Sequence, residues 1–273
     1  MLTKIPKMSP PVAVLGIDAA WTEKEPSGVA LLAKQGERWC CLRVAPSYVA
    51  FSETFSWEDP VRGGKVDVPS LLATCSSLTG RHSLAVVAVD MPLATQPIQS
   101  RRVADNLVSR QFGARKCSVH SPNLERPGAV GAQLYEAFVE AGFPLAVDDR
   151  CAMPALLEVY PHVALLKLMR APERLPYKVS KNGSYWGKGL PSTERKRRLL
   201  EQWNAILECL QLEIDGIEIP LPKDPEQFTF QHLKRYEDAI DGLICAWMAT
   251  RYFADEAVPL GDETGAIWVP SGL

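Results

Sequence analysis

The stretch VAVLGID, residues 12–18, decides how this chain is read. Apolar and small residues run without a break into a carboxylate, Asp18. Such a run reads as a strand buried on both faces, the kind found in sheets covered by helices. A second apolar run, SGVALLA at 27–33, is entered through the polar turn at Thr22–Ser27. A third, WCCLRVA at 39–45, follows the link Gln35-Gly36-Glu37. Both links are short, so the three strands are predicted to form an antiparallel meander.

Working outward, helical spacing appears over Val68–Leu78, at Leu71, Leu72, Cys75 and Leu78. LAVVAVD at 84–90 is another fully apolar strand that ends in a carboxylate, and Pro92 closes it. A strand, a helix and then such a strand imply a crossover and parallel pairing. ALLEVY at 155–160 is a further strand, ended by Pro161. Helices are predicted over Val130–Ala141, His162–Met169, from Ser192 as N-cap to about Leu212, and from about Phe230 to Ala254. The predicted fold is α/β: a mixed five-stranded sheet, meander then parallel strands, flanked by helices. One domain over 1–273 is expected, with insertions at about 95–150 and 171–230.

The chain has 273 residues, 47% of them hydrophobic and 23% charged, with net charge −2. That is ordinary globular composition. An acidic partner would have to be met by a local basic patch rather than by the whole field. No segment approaches the ~20 apolar residues that span a bilayer, and MLTKIPKMSPPVAVLGIDAA lacks the apolar run of a signal peptide. The seven cysteines form no C-x-x-C pair. They read as reduced core thiols of a cytoplasmic protein. The four histidines are scattered, which argues against zinc.

Asp18 and Asp90 each end an apolar strand. If the strands are parallel neighbours, both carboxylates emerge at one sheet edge, where ligands sit in open α/β sheets. Glu158 near the end of the next strand is placed to join them. The plainer reading is a turn carboxylate accepting backbone N–H bonds. The helix YEDAIDGLICAWMA at 236–249 adds Asp238 and Asp241. Leu233, Tyr236, Ile240, Leu243, Ile244 and Trp247 form its apolar stripe. Asp238 lies opposite, in line with the small residues Gly242, Cys245 and Ala249. This helix is therefore predicted to be covered on both sides, with Asp238 and Asp241 on the covered face. Buried carboxylates need a positive partner. Lys234, Arg235 or an arginine of the first insertion is one option. The other is Mg²⁺ or Mn²⁺, which take carboxylate oxygens; two such ions serve the attacking and leaving oxygens of a phosphodiester. Asp241, alone in its apolar run, is the favoured ligand of the helix.

GID at 16–18, VAVDMPL at 87–93 and DAID at 238–241 together resemble the ribonuclease-H-like fold. The D-x-x-D form is most similar to RuvC-type Holliday junction resolvases. Over nearly its full length the chain resembles the domain of unknown function 429 family, whose members are predicted ribonuclease-H-like nucleases. GIDAAW (16–21), VDMPLA (89–94), the segment with Arg102, Asp105 and Arg110, EVYPH (158–162) and YEDAIDGLICAW (236–247) carry that resemblance. It implies a divalent-metal-dependent nuclease or phosphodiesterase acting on nucleic acid, DNA or RNA. Asp18, Asp90, Asp238 and Asp241 would be its catalytic acids, and Asp18, Asp90 and Asp241 its metal ligands. The first predicted helix carries no glutamate to match the second acid of ribonuclease H, and Glu158 would substitute for it.

Nucleic acid needs a cationic grip. Arg101, Arg102, Arg110, Arg115, Lys116 and Arg126 cluster after Asp90. Arg101, Arg102, Arg110 and Lys116 are the candidate substrate contacts there, although Arg102 and Asp105 also have the spacing to pair with each other. The loop PYKVSKNGSYWGKG at 176–189 mixes Tyr177, Tyr185 and Trp186 with Lys178, Lys181 and Lys188, a pattern that suits base stacking and phosphate contact. Lys181 and Trp186 are its candidates; an ordered lid is the plainer reading. ERKRR at 194–198 reads as a solvated face.

Two other functions compete. A non-catalytic binding or scaffold protein would keep the fold without the reaction. An actin-like phosphotransferase also begins with a strand ending in Asp. However, no second GID-like repeat is present, and GKG at 187–189 does not follow a strand. A homodimer is left open.

Overall fold

The computed structural model describes residues 11–80, 82–187 and 189–273. The leader reading of residues 1–10 and the role given to Lys188 lie outside the described residues. Three antiparallel strands come first: β1 (Val12–Asp18), β2 (Gly28–Gln35) and β3 (Arg38–Ala45). Helices α1 (Tyr48–Ser52) and α2 (Val68–Thr79) follow. Ser47 and Asp67 cap them by accepting from the amides of Ala50 and Ser70. β4 (Ser83–Val89) then returns parallel to β1. The first insertion carries α3 (Val103–Phe112) and α4 (Ala129–Glu140). β5 (Ala155–Val159) pairs parallel to β4 and leads into α5 (Pro161–Leu168). The second insertion holds α6 (Asn182–Trp186), α7 (Ser192–Gln211) and the two-residue β6 (Ile214–Asp215). α8 (Phe230–Phe253), capped by Thr229, and the hairpin of β7 (Ala257–Asp262) and β8 (Gly265–Pro270) complete the chain.

The sheet therefore has eight strands among the described residues, not five, in the order β6-β3-β2-β1-β4-β5-β8-β7. The five expected strands form its middle, with the expected directions. The three extra strands lie at the edges. β6 is too short to show a period. β7 contains Pro259, which a strand tolerates when it lies at a sheet edge, and β7 is the last strand of the order. Asp262 closes the hairpin: its Oδ1 accepts from the amide and the hydroxyl of Thr264, at 2.9 and 2.6 Å. At α7 the N-cap is Pro191 rather than Ser192, and no side chain caps that end.

Strand side chains alternate between the two faces. On β1, Val12 and Val14 join the core on the α8 side, while Ala13, Leu15 and Ile17 join the opposite core under α1, α2 and α4. On β4, Val86 and Ala88 face α8, whereas Val87 and Val89 face away. α5 and α7 cover the outer side of α8, so every residue from Tyr236 to Thr250 is buried. Both sides of the helix are covered, as its small-residue face predicts.

That cover rests on backbone contact. A Cβ on Gly16 of β1 would stand 2.0 Å from the amide nitrogen of Ala246 and 2.2 Å from the carbonyl of Gly242. A Cβ on Gly28 of β2 would stand 1.7 Å from the carbonyl of Asp238. One on Gly242 would meet the Gly28 backbone at 2.7 Å. The helix thus lies directly on the two strands. Gly16→Ala and Gly28→Ala are each expected to lose about 3 kcal/mol or more, because backbone rather than a pliable side chain must give way. Gly64→Ala, with open space around it, is the neutral control. Urea denaturation checks this; equal midpoints for all three variants would refute it.

Candidate active site

β1 and β4 run parallel with Ile17 opposite Val89, so the chain leaves the sheet at Asp18 and Asp90 side by side. Asp18 follows Gly16 and Asp90 follows Ala88, two residues on, so both carboxylates fall on the face that α8 covers. Gly28 stands opposite Asp18 in β2, and against it rests the backbone of Asp238. The close seat of the helix therefore brings Glu237, Asp238 and Asp241 to the strand-end acids. Asp18 and Asp90 are half-buried, and the three helix acids are sealed from solvent.

Two lysines pair with the three helix acids. Lys178 pairs with Asp241 and lies 3.7 Å from Glu237. Lys234 lies 3.1 Å from Glu237 and pairs with Asp238. The hydroxyl of Tyr177 donates to Asp241 Oδ1 at 2.7 Å, and the amide of Val179 donates to Glu237. Trp203 Nε1 in turn donates to the Tyr177 carbonyl at 2.9 Å, which fixes this segment on α7. Asp238 Oδ2 is buried without a hydrogen-bond partner. Among the described residues, the carboxylates of Asp18 and Asp90 accept no hydrogen bond; they feel Lys178 only through space.

Burial is the largest influence on each of the four aspartates and pushes all of them up. Asp90 is raised well above the ordinary range, further aided by Asp18 and Asp241 and opposed by Lys178. Asp238 is raised well above it too, against the pull of Lys234. Asp18 is raised in spite of Lys178 and Lys234. Asp241 is raised to about 7: burial, Asp18 and Glu237 lift it and Lys178 holds it back. Five acids in one buried cluster with two ammonium groups leave negative charge over. Hard oxygen donors with that excess suit a divalent cation in chemistry, and the orphaned Asp238 oxygen adds an open ligand position. In the geometry seen, no three acid, histidine or cysteine side chains among the described residues converge at ligand distance. The Lys178 ammonium lies between Asp241 and Glu237.

Glu158 borders the same cleft as Asp90 but projects from the opposite face of the sheet. It pairs in register with Val89, whose side chain belongs to the opposite core, so alternation sends the glutamate to the face away from α8. There Arg102 grips it with two parallel bonds of 2.6 Å each, and the Leu93 amide adds a third at 2.7 Å. Arg102 also bonds Asp105 at 2.7 Å, and Asp105 caps α3 by accepting from the Arg102 amide at 2.8 Å. The predicted ligand Glu158 and the predicted substrate contact Arg102 are thus bound to each other.

The other expected contacts scatter. Arg101 spends its guanidinium on Asn106, Ser109, Ser121 and the carbonyls of Asp105 and Val119. Arg110 is exposed in the last turn of α3. Lys116 pairs with Glu173 at 2.6 Å on the surface. Trp186 is half-buried against the core and edge-on to Tyr185. Only Lys181 and Arg102 among them line the cleft of about 310 Å³ that opens beside Asp90 and Glu237. Arg235, an expected partner of the acids, donates instead to the carbonyls of Trp57 and Asp59. Glu237 was overlooked in the sequence, although its spacing of three residues from Lys234 and four from Asp241 marks it as their neighbour on the helix. Lys178 and Tyr177 belong to the loop whose pattern suits base stacking or an ordered lid, and no local spacing ties them to α8.

These surroundings separate the acids by experiment. Glu158→Gln breaks a buried ion pair and is expected to cost about 3–5 kcal/mol. Asp18→Asn removes one of several repelling charges and is expected to leave the metal-free protein as stable or more so. Thermal melts in EDTA read both; an equal loss in the two variants would contradict the assignment. The Asp241 carboxyl is raised from 3.8 to about 7. A raised carboxyl favours the folded state fully below 3.8, and that advantage is lost as pH rises through 7. The stability of Asp241→Asn relative to the parent should therefore climb between pH 4 and 7. Denaturation at several pH values checks this, and a constant difference would refute it.

No curated protein and no solved structure matches this chain. No helix among the described residues is long and apolar enough to cross a membrane. Residues 16–265 match the family described as "Protein of unknown function (DUF429)". The match spans every strand from the end of β1 to the start of β8 and all the acids above, and the chain belongs to that family.

Proposed function

We propose that this protein is a divalent-metal-dependent phosphodiesterase acting on nucleic acid, on a ribonuclease-H-like core formed by β3-β2-β1-β4-β5 and α8. One observation carries the reading: the half-buried strand-end acids Asp18 and Asp90 stand beside the buried helix acids Glu237, Asp238 and Asp241, and among the described residues only Lys178 and Lys234 form ion pairs with any of the five, while Asp238 Oδ2 has no partner. Asp18, Asp90 and Asp241 would hold Mg²⁺ or Mn²⁺, with Asp238 beside them. The ion, when bound, supplies a Lewis acid for a phosphoryl oxygen and an acidified water. The chain's own groups do the rest. Tyr177 orients Asp241. Lys234 neutralises the acid that faces β2. Lys178, a compact ammonium on a flexible stem, can leave Asp241 for a phosphate oxygen while keeping its proton. Burial of the helix acids keeps water from competing for them.

One observation favours a second reading. Lys178 already stands where a cation would, which suits a binding protein that kept the fold and lost the reaction. Calorimetric titration with Mn²⁺ and a cleavage assay on labelled single- and double-stranded DNA and RNA separate the two. The proposed reading expects saturable Mn²⁺ heat and cleavage that Asp18→Asn and Asp241→Asn each abolish. Heat absent, or cleavage that survives both changes, would sink it.

A further inference from the structure

The cleft beside the acids has a second wall that the metal reading does not use. Arg174, Lys181, His120 and His162 line the same cleft as Asp90 and Glu237. Arg102, Lys178 and Lys234 also border the cleft, but each is already paired with carboxylates. Arg174 and Lys181 make no ion pair among the described residues. Cys117, Tyr160, His162 and Tyr185 feel the Arg174 charge. Its Nε is buried and unpartnered.

His162 is the second observation. It is 6% exposed, and its Nδ1 is buried with no hydrogen-bond partner. Tyr160 and Tyr177 stand edge-on to the ring, each with centroids 5.3 Å away, and hold it in place. The residue belongs to the first turn of α5, whose amino end adds positive field. Burial first, then Lys178, Arg174 and His120, press its pKa well below the ordinary value, so the ring is neutral at neutral pH and surrounded by cations. A half-buried guanidinium with no ion pair among the described residues calls for an anion, and the sealed imidazole nitrogen beside it calls for a hydrogen-bond partner; a phosphate group supplies both.

We infer that this wall is a phosphate subsite, in which Arg174, Lys181 and His162 bind the oxyanion of a phosphate ester beside the acidic cluster. Arg174 supplies a planar fork that fits two phosphate oxygens. Lys181, exposed at the rim, supplies a mobile point charge. The inference rests on the phosphodiesterase reading for its substrate class and names the wall that holds the phosphate. It needs no metal, so the two stand or fall separately. Arg115 supports the wall: it donates to the carbonyls of Ala171 and Pro172, and its own carbonyl accepts from the Arg174 amide at 2.9 Å.

The test is calorimetric titration of the full chain with inorganic phosphate in EDTA, followed by Mn²⁺ titration in phosphate-free buffer. Saturable phosphate binding is expected. Arg174→Gln should weaken it about tenfold or more, and His162→Gln and Lys181→Gln should also weaken it, with Mn²⁺ binding unchanged. Lys181 is exposed, so its variant reports even if Arg174→Gln fails to fold. No saturable phosphate heat into the millimolar range, parent-like binding by Lys181→Gln, or parent-like binding by a folded Arg174→Gln would each overturn the subsite. Phosphate binding without any Mn²⁺-dependent cleavage would uphold the subsite and refute the enzyme. Cleavage without phosphate binding would do the reverse.

Discussion

The contact between the backbone of α8 and the backbones of β1 and β2 governs this molecule. Gly16, Gly28 and Gly242 leave no side chain between helix and sheet, and the smallest added atom at any of them strikes main chain. Ordinary helix-on-sheet packing keeps a layer of side chains between the two. Here that layer is missing at the end of the sheet where Asp18 and Asp90 emerge. The carboxylates of α8 therefore reach the strand-end acids, where a normally spaced helix would hold them beyond contact.

The cost of that arrangement is electrostatic. Each buried ion carries a desolvation penalty of several kcal/mol, and these acids also repel one another. Lys178 and Lys234 offset part of it, and protonation near neutral pH relieves more. By contrast, Glu158, Arg102 and Asp105 form a closed set with both glutamate oxygens matched and α3 capped in the bargain. One constellation is closed; the other keeps a buried carboxylate oxygen with no partner among the described residues.

The sequence made the two strand-end aspartates and the helix acids legible because each breaks an apolar run, and charge in such places needs a reason. The small face of α8 was legible as well, but its counterparts Gly16 and Gly28 were not, since a glycine in a strand names no partner. Glu158 shows where reading ran out. Its place at a strand end looked equivalent to that of Asp90, yet register puts it opposite Val89 and on the other face. One residue of register decides between ligand and bolt, and register is set by pairing that no single strand displays. The edge strands escaped for similar reasons: two residues show no alternation, and a proline argues against a strand until the edge position is known. Lys178 lies 63 residues from Asp241, beyond any local pattern.

Tyr177, Lys178 and Val179 are three consecutive residues that all bind acids of α8. The acids are seated by glycines of the sheet and of α8, but the covering over them is a strap contributed by an insertion. The seat and the roof are therefore separate parts of the chain: a change in the strap alters what covers the carboxylates and leaves the glycine contact that positions them intact.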